Sequence, residues 1–162
     1  MKKSEWKRTT RECSFSGLRP ELVAAIRQYV EKHDLPNIES EVLACCETTS
    51  ERKKAGLAER LAGGADKVQY TGVVVTLSWL IWAASGDKTG ISVASARLTD
   101  ITEVKDYEDT TFHELIEDHG LQIYGFTYGS SERRVWFIGL GQEYAARRFR
   151  DVLREAIQNR RT

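Results

Sequence analysis

Tyr70–Ala84 reads YTGVVVTLSWLIWAA, and its composition decides the fold class. Val, Ile, Thr, Tyr and Trp suit a pleated, partly buried surface. Thr76 and Ser78 interrupt the run, which is in any case too short to cross a bilayer as a helix. It reads as two strands, Tyr70–Leu77 and Trp79–Ala84, joined within Thr76–Leu80. Apolar residues occupy both alternating sets, Val73, Val75, Leu77, Trp79 and Ile81 against Val74, Leu80 and Trp82. A strand wetted on one side alternates polar with apolar, so this pattern requires cover on each face.

Downstream, Ser85–Gly90 is a hairpin loop with glycines at its bends, and Ile91–Arg97 is the returning strand. Leu98, Ile101 and Val104 mark another short strand, and the acidic stretch Asp106–Asp118 is a loop with room for one helical turn. Leu121–Tyr128 and Arg134–Leu140 form a second hairpin about Gly129–Glu132. There Val135 and Phe137 oppose Trp136 and Ile138, so both faces again ask for cover. Gln142–Asn159 closes the chain as an amphipathic helix whose stripe is Ala145, Phe149, Val152, Leu153, Ala156 and Ile157. Arg147, Arg148, Asp151, Arg154 and Glu155 fill its wet side, several at ion-pairing spacing.

Upstream, Glu41–Thr48 (EVLACCET) is the first strand of this β unit. Ser50–Lys67 interrupts it, with Lys54–Leu61 suited to a short helix. A helix spans Pro20–His33, since proline fits the first helical position and Leu22, Val23, Ile26, Tyr29 and Val30 share one stripe. Pro36 stops it by excluding the helical conformation at the residue before. The division expected is 1–39, a basic tail plus a docked helix, and 40–162, the β unit with its terminal helix.

Charges balance at 24 basic and 24 acidic residues, which gives no reason to expect a nucleic-acid partner. The distribution is uneven, because the first eleven residues carry five bases against Glu5 alone. Cys13, Cys45 and Cys46 are odd in number, which fits a reducing compartment. In a strand, adjacent Cys45 and Cys46 face opposite sides and cannot share a metal. The N-terminus has bases without a following apolar stretch, so no secretory signal is expected. The expectation is a cytoplasmic protein, at most peripheral to a membrane.

The order of short strands with a final helix resembles the pleckstrin-homology superfold, in its bacterial branch. The residues that carry the resemblance are EVLACCETT, GVVVTLSWLIWAAS, SARLTDITEV, GLQIYGF and VWFIGLGQEYAARRFRDVLREAI, covering about residues 40–160. Bacterial members often carry an arginine before the leucine that opens the third strand, where this chain has Trp79. The resemblance implies an α+β fold, an antiparallel barrel or sandwich of about seven strands capped by the last helix, here with an extra N-terminal helix. It also implies a recognition scaffold without an active site. Eukaryotic relatives bind inositol phosphates through the loop after the first strand. The matching basic residues are Arg52, Lys53, Lys54, Arg60 and Lys67, although the basic-x-basic pair that enters the second strand is absent.

Other motifs are weaker. Asp87-Lys88-Thr89-Gly90 matches the phosphorylated motif of P-type ATPases but lacks the downstream aspartates of a Mg²⁺ site, and a turn explains it. His113, Glu114, Asp118 and His119 are ligand-type residues, yet the histidines are six apart where a helical zinc site wants four. Gly139-Leu140-Gly141-Gln142 lacks the lysine and the third glycine of a phosphate loop. Arg147, Arg148, Arg150 and Arg154 are interleaved with acids, as on a wet helix face laced with ion pairs. The expectation is a non-enzymatic module without cofactor or metal, contacting a protein partner or itself. Anionic lipid headgroup binding through the loop is the alternative, and a small metal enzyme using His113, Glu114 and His119 is the second.

Overall fold

Residues 3–53 and 66–162 are described in a computed structural model. The chain order is β1 (Trp6–Glu12), α1 (Pro20–Lys32), β2 (Val42–Arg52), β3 (Val68–Thr76), β4 (Trp79–Gly86) and β5 (Ile91–Arg97). It continues through β6 (Ile101–Asp106), α2 (Thr111–Leu115), β7 (Gly120–Gly125), β8 (Arg134–Gly139) and α3 (Tyr144–Arg161). Strands β1 to β5 form one antiparallel sheet in sequence order, and β6 to β8 form a second. The fold is α+β with two antiparallel sheets, an N-terminal and a C-terminal helix, and no closed barrel among the described strands.

Cover on both faces, required by the central strands, is supplied by different elements. On one face Val74, Trp79, Ile81 and Cys45 pack with Leu22, Val23 and Ile26 of α1. On the other, Val73, Val75, Leu80 and Trp82 share a core with Leu121, Ile123 and Ile138 of the second sheet and Phe149 and Leu153 of α3. Adjacent Cys45 and Cys46 do face opposite sides, one into each cluster.

Three sequence expectations change. The face assignment along β4 reverses, because the β3–β4 turn is two residues long and sets Val75 opposite Leu80 and Val74 opposite Ile81. Cross-strand partners lie on one face, so Leu80 and Trp82 join Val73 and Val75, while Leu77 sits exposed in the turn. The turn is fixed by Thr76, whose Oγ1 accepts from the Ser78 and Trp79 amides at 3.3 and 3.0 Å. The basic N-terminal run contains a strand, β1, paired with β2 from Trp6↔Arg52 to Glu12↔Cys46. On α3 the stripe begins at Ala146 rather than Ala145, which is only half-buried, and Arg150 is buried at 7% exposure although composition places it on the wet side.

Val135 and Phe137 are 52% and 41% exposed, so the outer face of β8 is only partly covered, by Tyr107 and Arg8 against Phe137. No helix of the described residues is long and apolar enough to cross a membrane.

Candidate functional site

α1 is seated at both ends, and its seating shapes a groove beside β5. At its start, the Arg19 amide donates to the buried carboxylate of Glu47 at 2.7 Å. The Arg19 guanidinium lies 3.7 Å from the Tyr70 ring centroid and also pairs with Glu21 at 2.8 Å, which holds the Glu21 carboxyl below its usual range. Leu18 and Leu22 press onto Gly72, where a Cβ would meet them at 3.1 and 3.4 Å. At its end, the Tyr29 hydroxyl bonds Ser95 Oγ at 2.9 Å and the His33 ring stands edge-on to Tyr128. Asp34, at φ 51, turns the chain away.

Between α1 and β5 runs a groove of about 610 Å³. Ala24, Ala25, Gln28 and Lys32 form one bank, and Ile91 and Val93 the other. Among the described residues β5 pairs only with β4, which makes it an edge strand of the described sheet. Its odd-numbered residues turn their main-chain groups outward, because the Ser95 carbonyl accepts from the Tyr128 amide at 2.9 Å while the Leu98 amide turns inward to the Ser78 carbonyl. Ile91 and Val93 follow the same parity, and no hydrogen bond from a described residue takes their N–H or C=O. Two alanines on the facing helix leave room for another backbone to lie alongside. Lys32 ends the groove without an ion pair among the described residues, whereas Glu21 at the other end is neutralised by Arg19.

A second polar cluster joins motifs that look separate in sequence. Arg8 of β1 grips Asp118 through two bonds of 2.8 and 2.9 Å and reaches Ser50 at 2.6 Å. His119 Nδ1 lies 3.1 Å from Glu108, which also faces Arg150 at 3.4 Å. Asp106 meets Arg150 and Arg154 at 3.3 and 3.0 Å. The cluster fastens residues 106–119 to β1 and α3. Glu114 stays exposed, and the His113 ring packs edge-on to Tyr107. Among the described residues no group of three His, Cys, Asp or Glu is placed to hold a metal ion.

The loop basics are placed as follows. Arg52 ends β2 with its guanidinium 4.9 Å from the Trp6 ring centroid, and its amide donates to the Lys67 carbonyl. The Lys53 amide donates to the Glu5 carbonyl, and the Lys67 amide to Asp87 at 2.9 Å. These three share one end of the sheet; Lys54 and Arg60 lie outside the described residues. Asp87 thus serves the hairpin, as does Asp66, which accepts from the Lys88 and Thr89 amides. Sequence reading found the helix of the groove but not the open edge, since strand order is invisible to composition. Its one signal is the small, polar spacing of ISVASAR against the apolar run Trp79–Ala84 of β4.

No family model matches the chain, and neither does any curated protein or solved structure.

Proposed function

We propose that this protein is a non-enzymatic interaction module that receives an extended segment of a partner protein in the groove between α1 and β5. The observation that carries the reading is the outward-facing, unbonded backbone of Ile91 and Val93 beside a helix bank of small residues. An edge of alternating N–H and C=O groups is complementary to another polypeptide backbone, which adds as one more strand. Alternate side chains of that strand would lie under Ala24 and Ala25, favouring small apolar residues. Lys32 favours an acidic side chain or a terminal carboxylate at its end of the groove.

The antiparallel strand order and the terminal helix over the shared core support kinship with the pleckstrin-homology superfold, whose members are recognition scaffolds. That kinship is part of the same proposal.

Selection of a displayed random-peptide library on the full chain tests the reading. Selected peptides are expected to slow amide exchange at Ile91 and Val93 and to bind at least tenfold more weakly to Val93→Pro and to Ala25→Arg. Proline at an edge removes only the outward donor and is tolerated by the sheet. Equal binding to both variants, with unchanged exchange along β5, would remove the groove from consideration. A concentration-dependent dimer that dissociates in Val93→Pro would make the occupant a second copy of this chain.

A further inference from the structure

We infer that Cys13 and Cys45 form a thiol oxidation site, converted by a hydroperoxide into an intramolecular disulfide. The site is independent of the groove reading and rests on the placement of two sulfurs.

Cys13 follows β1 and continues its ladder by one step, its amide donating to the Cys45 carbonyl at 3.2 Å. Residues directly opposed across an antiparallel pair have Cα atoms about 4.5–5.5 Å apart, inside the range a disulfide spans. The sulfurs already lie 3.8 Å apart, so rotation about the side-chain bonds closes the remaining gap. Their environments differ. Cys13 is half-buried and reachable from solvent, while Cys45 is 3% exposed beneath α1. The contact with the Cys45 sulfur, then the nearby Arg11 charge, hold the Cys13 thiol below its ordinary value. Cys45 is pushed upward by the same contact and by burial. The outer sulfur is the nucleophile and the inner one remains a thiol, the division that a reactive and a resolving cysteine require. Cys46 lies 1% exposed in the opposite cluster and is the internal control.

In the first step the Cys13 thiolate attacks the terminal oxygen of the hydroperoxide. The O–O bond breaks, the leaving oxygen takes a proton from water, and Cys13 becomes a sulfenic acid. In the second step the Cys45 sulfur attacks the Cys13 sulfur. The S–S bond forms as the S–O bond breaks, and the hydroxyl leaves with the Cys45 proton as water. Two thiols are oxidised by two electrons and one hydroperoxide is reduced to its alcohol, or to water.

Reduced full-length protein is treated with hydrogen peroxide, unfolded, and alkylated for counting by intact mass. The expected result is a fall from three alkylated cysteines to Cys46 alone, with loss of two hydrogens, reversed by dithiothreitol. Cys45→Ser is expected to stop at a sulfenic acid trapped by a 1,3-dione, and Cys13→Ser to stay unreacted at the same dose. Three alkylated thiols in the treated wild type, or a Cys13 link between molecules, would overturn the inference, and neither readout needs a variant to fold.

Discussion

Asp66 shows how one side chain sets a local conformation. Its carboxylate accepts from the Thr89 hydroxyl at 2.7 Å, the Lys88 amide at 2.7 Å, the Thr89 amide at 3.0 Å and the Gln69 amide nitrogen at 3.4 Å. It can come this close because Gly86 has no side chain: a Cβ there would overlap the carboxylate. The Thr89 hydroxyl, then the Lys88 amide, hold the Asp66 carboxyl well below the usual carboxylate range. A depressed carboxyl contributes stability that is fully present above its unfolded value, about 4, and is lost as pH falls toward the folded one. Asp66→Asn is therefore expected to lower the melting temperature at pH 7 and to speed amide exchange at Lys88 and Thr89. The gap to wild type should narrow below about pH 4. A gap that stays constant into strong acid would show that ionisation of Asp66 is not what orders the turn. Gly72 is the other informative small residue. Leu18 and Leu22 already crowd the place of its Cβ, so the branched side chain of Gly72→Val should push α1 off the sheet and widen the groove. The same peptide-binding assay detects that change.

Among the elements, α3 is the amphipathic helix that its periodicity predicts, but its stripe includes a charge. Phe149 and Leu153 are 2% and 0% exposed, as a helix that stoppers the core requires. Arg150 is also buried, between Asp106 and Glu108 of the acidic segment. Composition alone suggests a wet arginine, because no local pattern reveals that residues 106–119 fold back over it. Its Nε, 3.3 Å from Asp106 Oδ1, lacks the alignment of a hydrogen bond, so the contact is coulombic. Removing one member of a buried pair costs about 3–5 kcal/mol when the other is left unpaired, but here Arg154 stays beside Asp106 and His119 beside Glu108. Asp106 and Glu108 keep 29% and 22% of their side-chain surface in water. Arg150→Ala is accordingly expected below that range, at about 1–3 kcal/mol by urea unfolding, with partial recovery when Glu108→Gln is added. A loss below about 0.5 kcal/mol would place the cluster with ordinary surface ion pairs. β1 is an element that sequence hides for a related reason: its outer face is polar, and its partner β2 lies beyond a whole helix. A disulfide between Cys13 and Cys45, 32 residues apart, would enclose α1 within the closed loop. The chain-entropy model makes that worth about 3–4 kcal/mol, so the oxidised form should melt higher than the reduced one.

For the molecule as a whole, the decisive information was local and the missing information was relational. Apolar residues on both faces of Tyr70–Ala84 required two covering layers, and α1 and α3 with the second sheet are those layers. Which face belongs to which layer depended on a two-residue turn, and the open edge of β5 depended on strand order; neither is written in composition. The five-stranded sheet is thus the shared wall of two hydrophobic clusters, and it should make them unfold together. Leu22 is fully buried on the α1 side and Leu153 on the α3 side. Truncating either to alanine removes packing worth about 2–5 kcal/mol, according to how far each site collapses. The two lie on opposite faces of the sheet and share no cluster, so their effects should add to within about 0.5 kcal/mol. Circular dichroism in urea is expected to show one transition for wild type, for Leu22→Ala and for Leu153→Ala, with the midpoint falling in each variant. If Leu22→Ala instead splits the curve, the α1 layer melts separately from the remaining fold, and a groove with α1 as its bank could not hold a ligand at urea concentrations between the two midpoints.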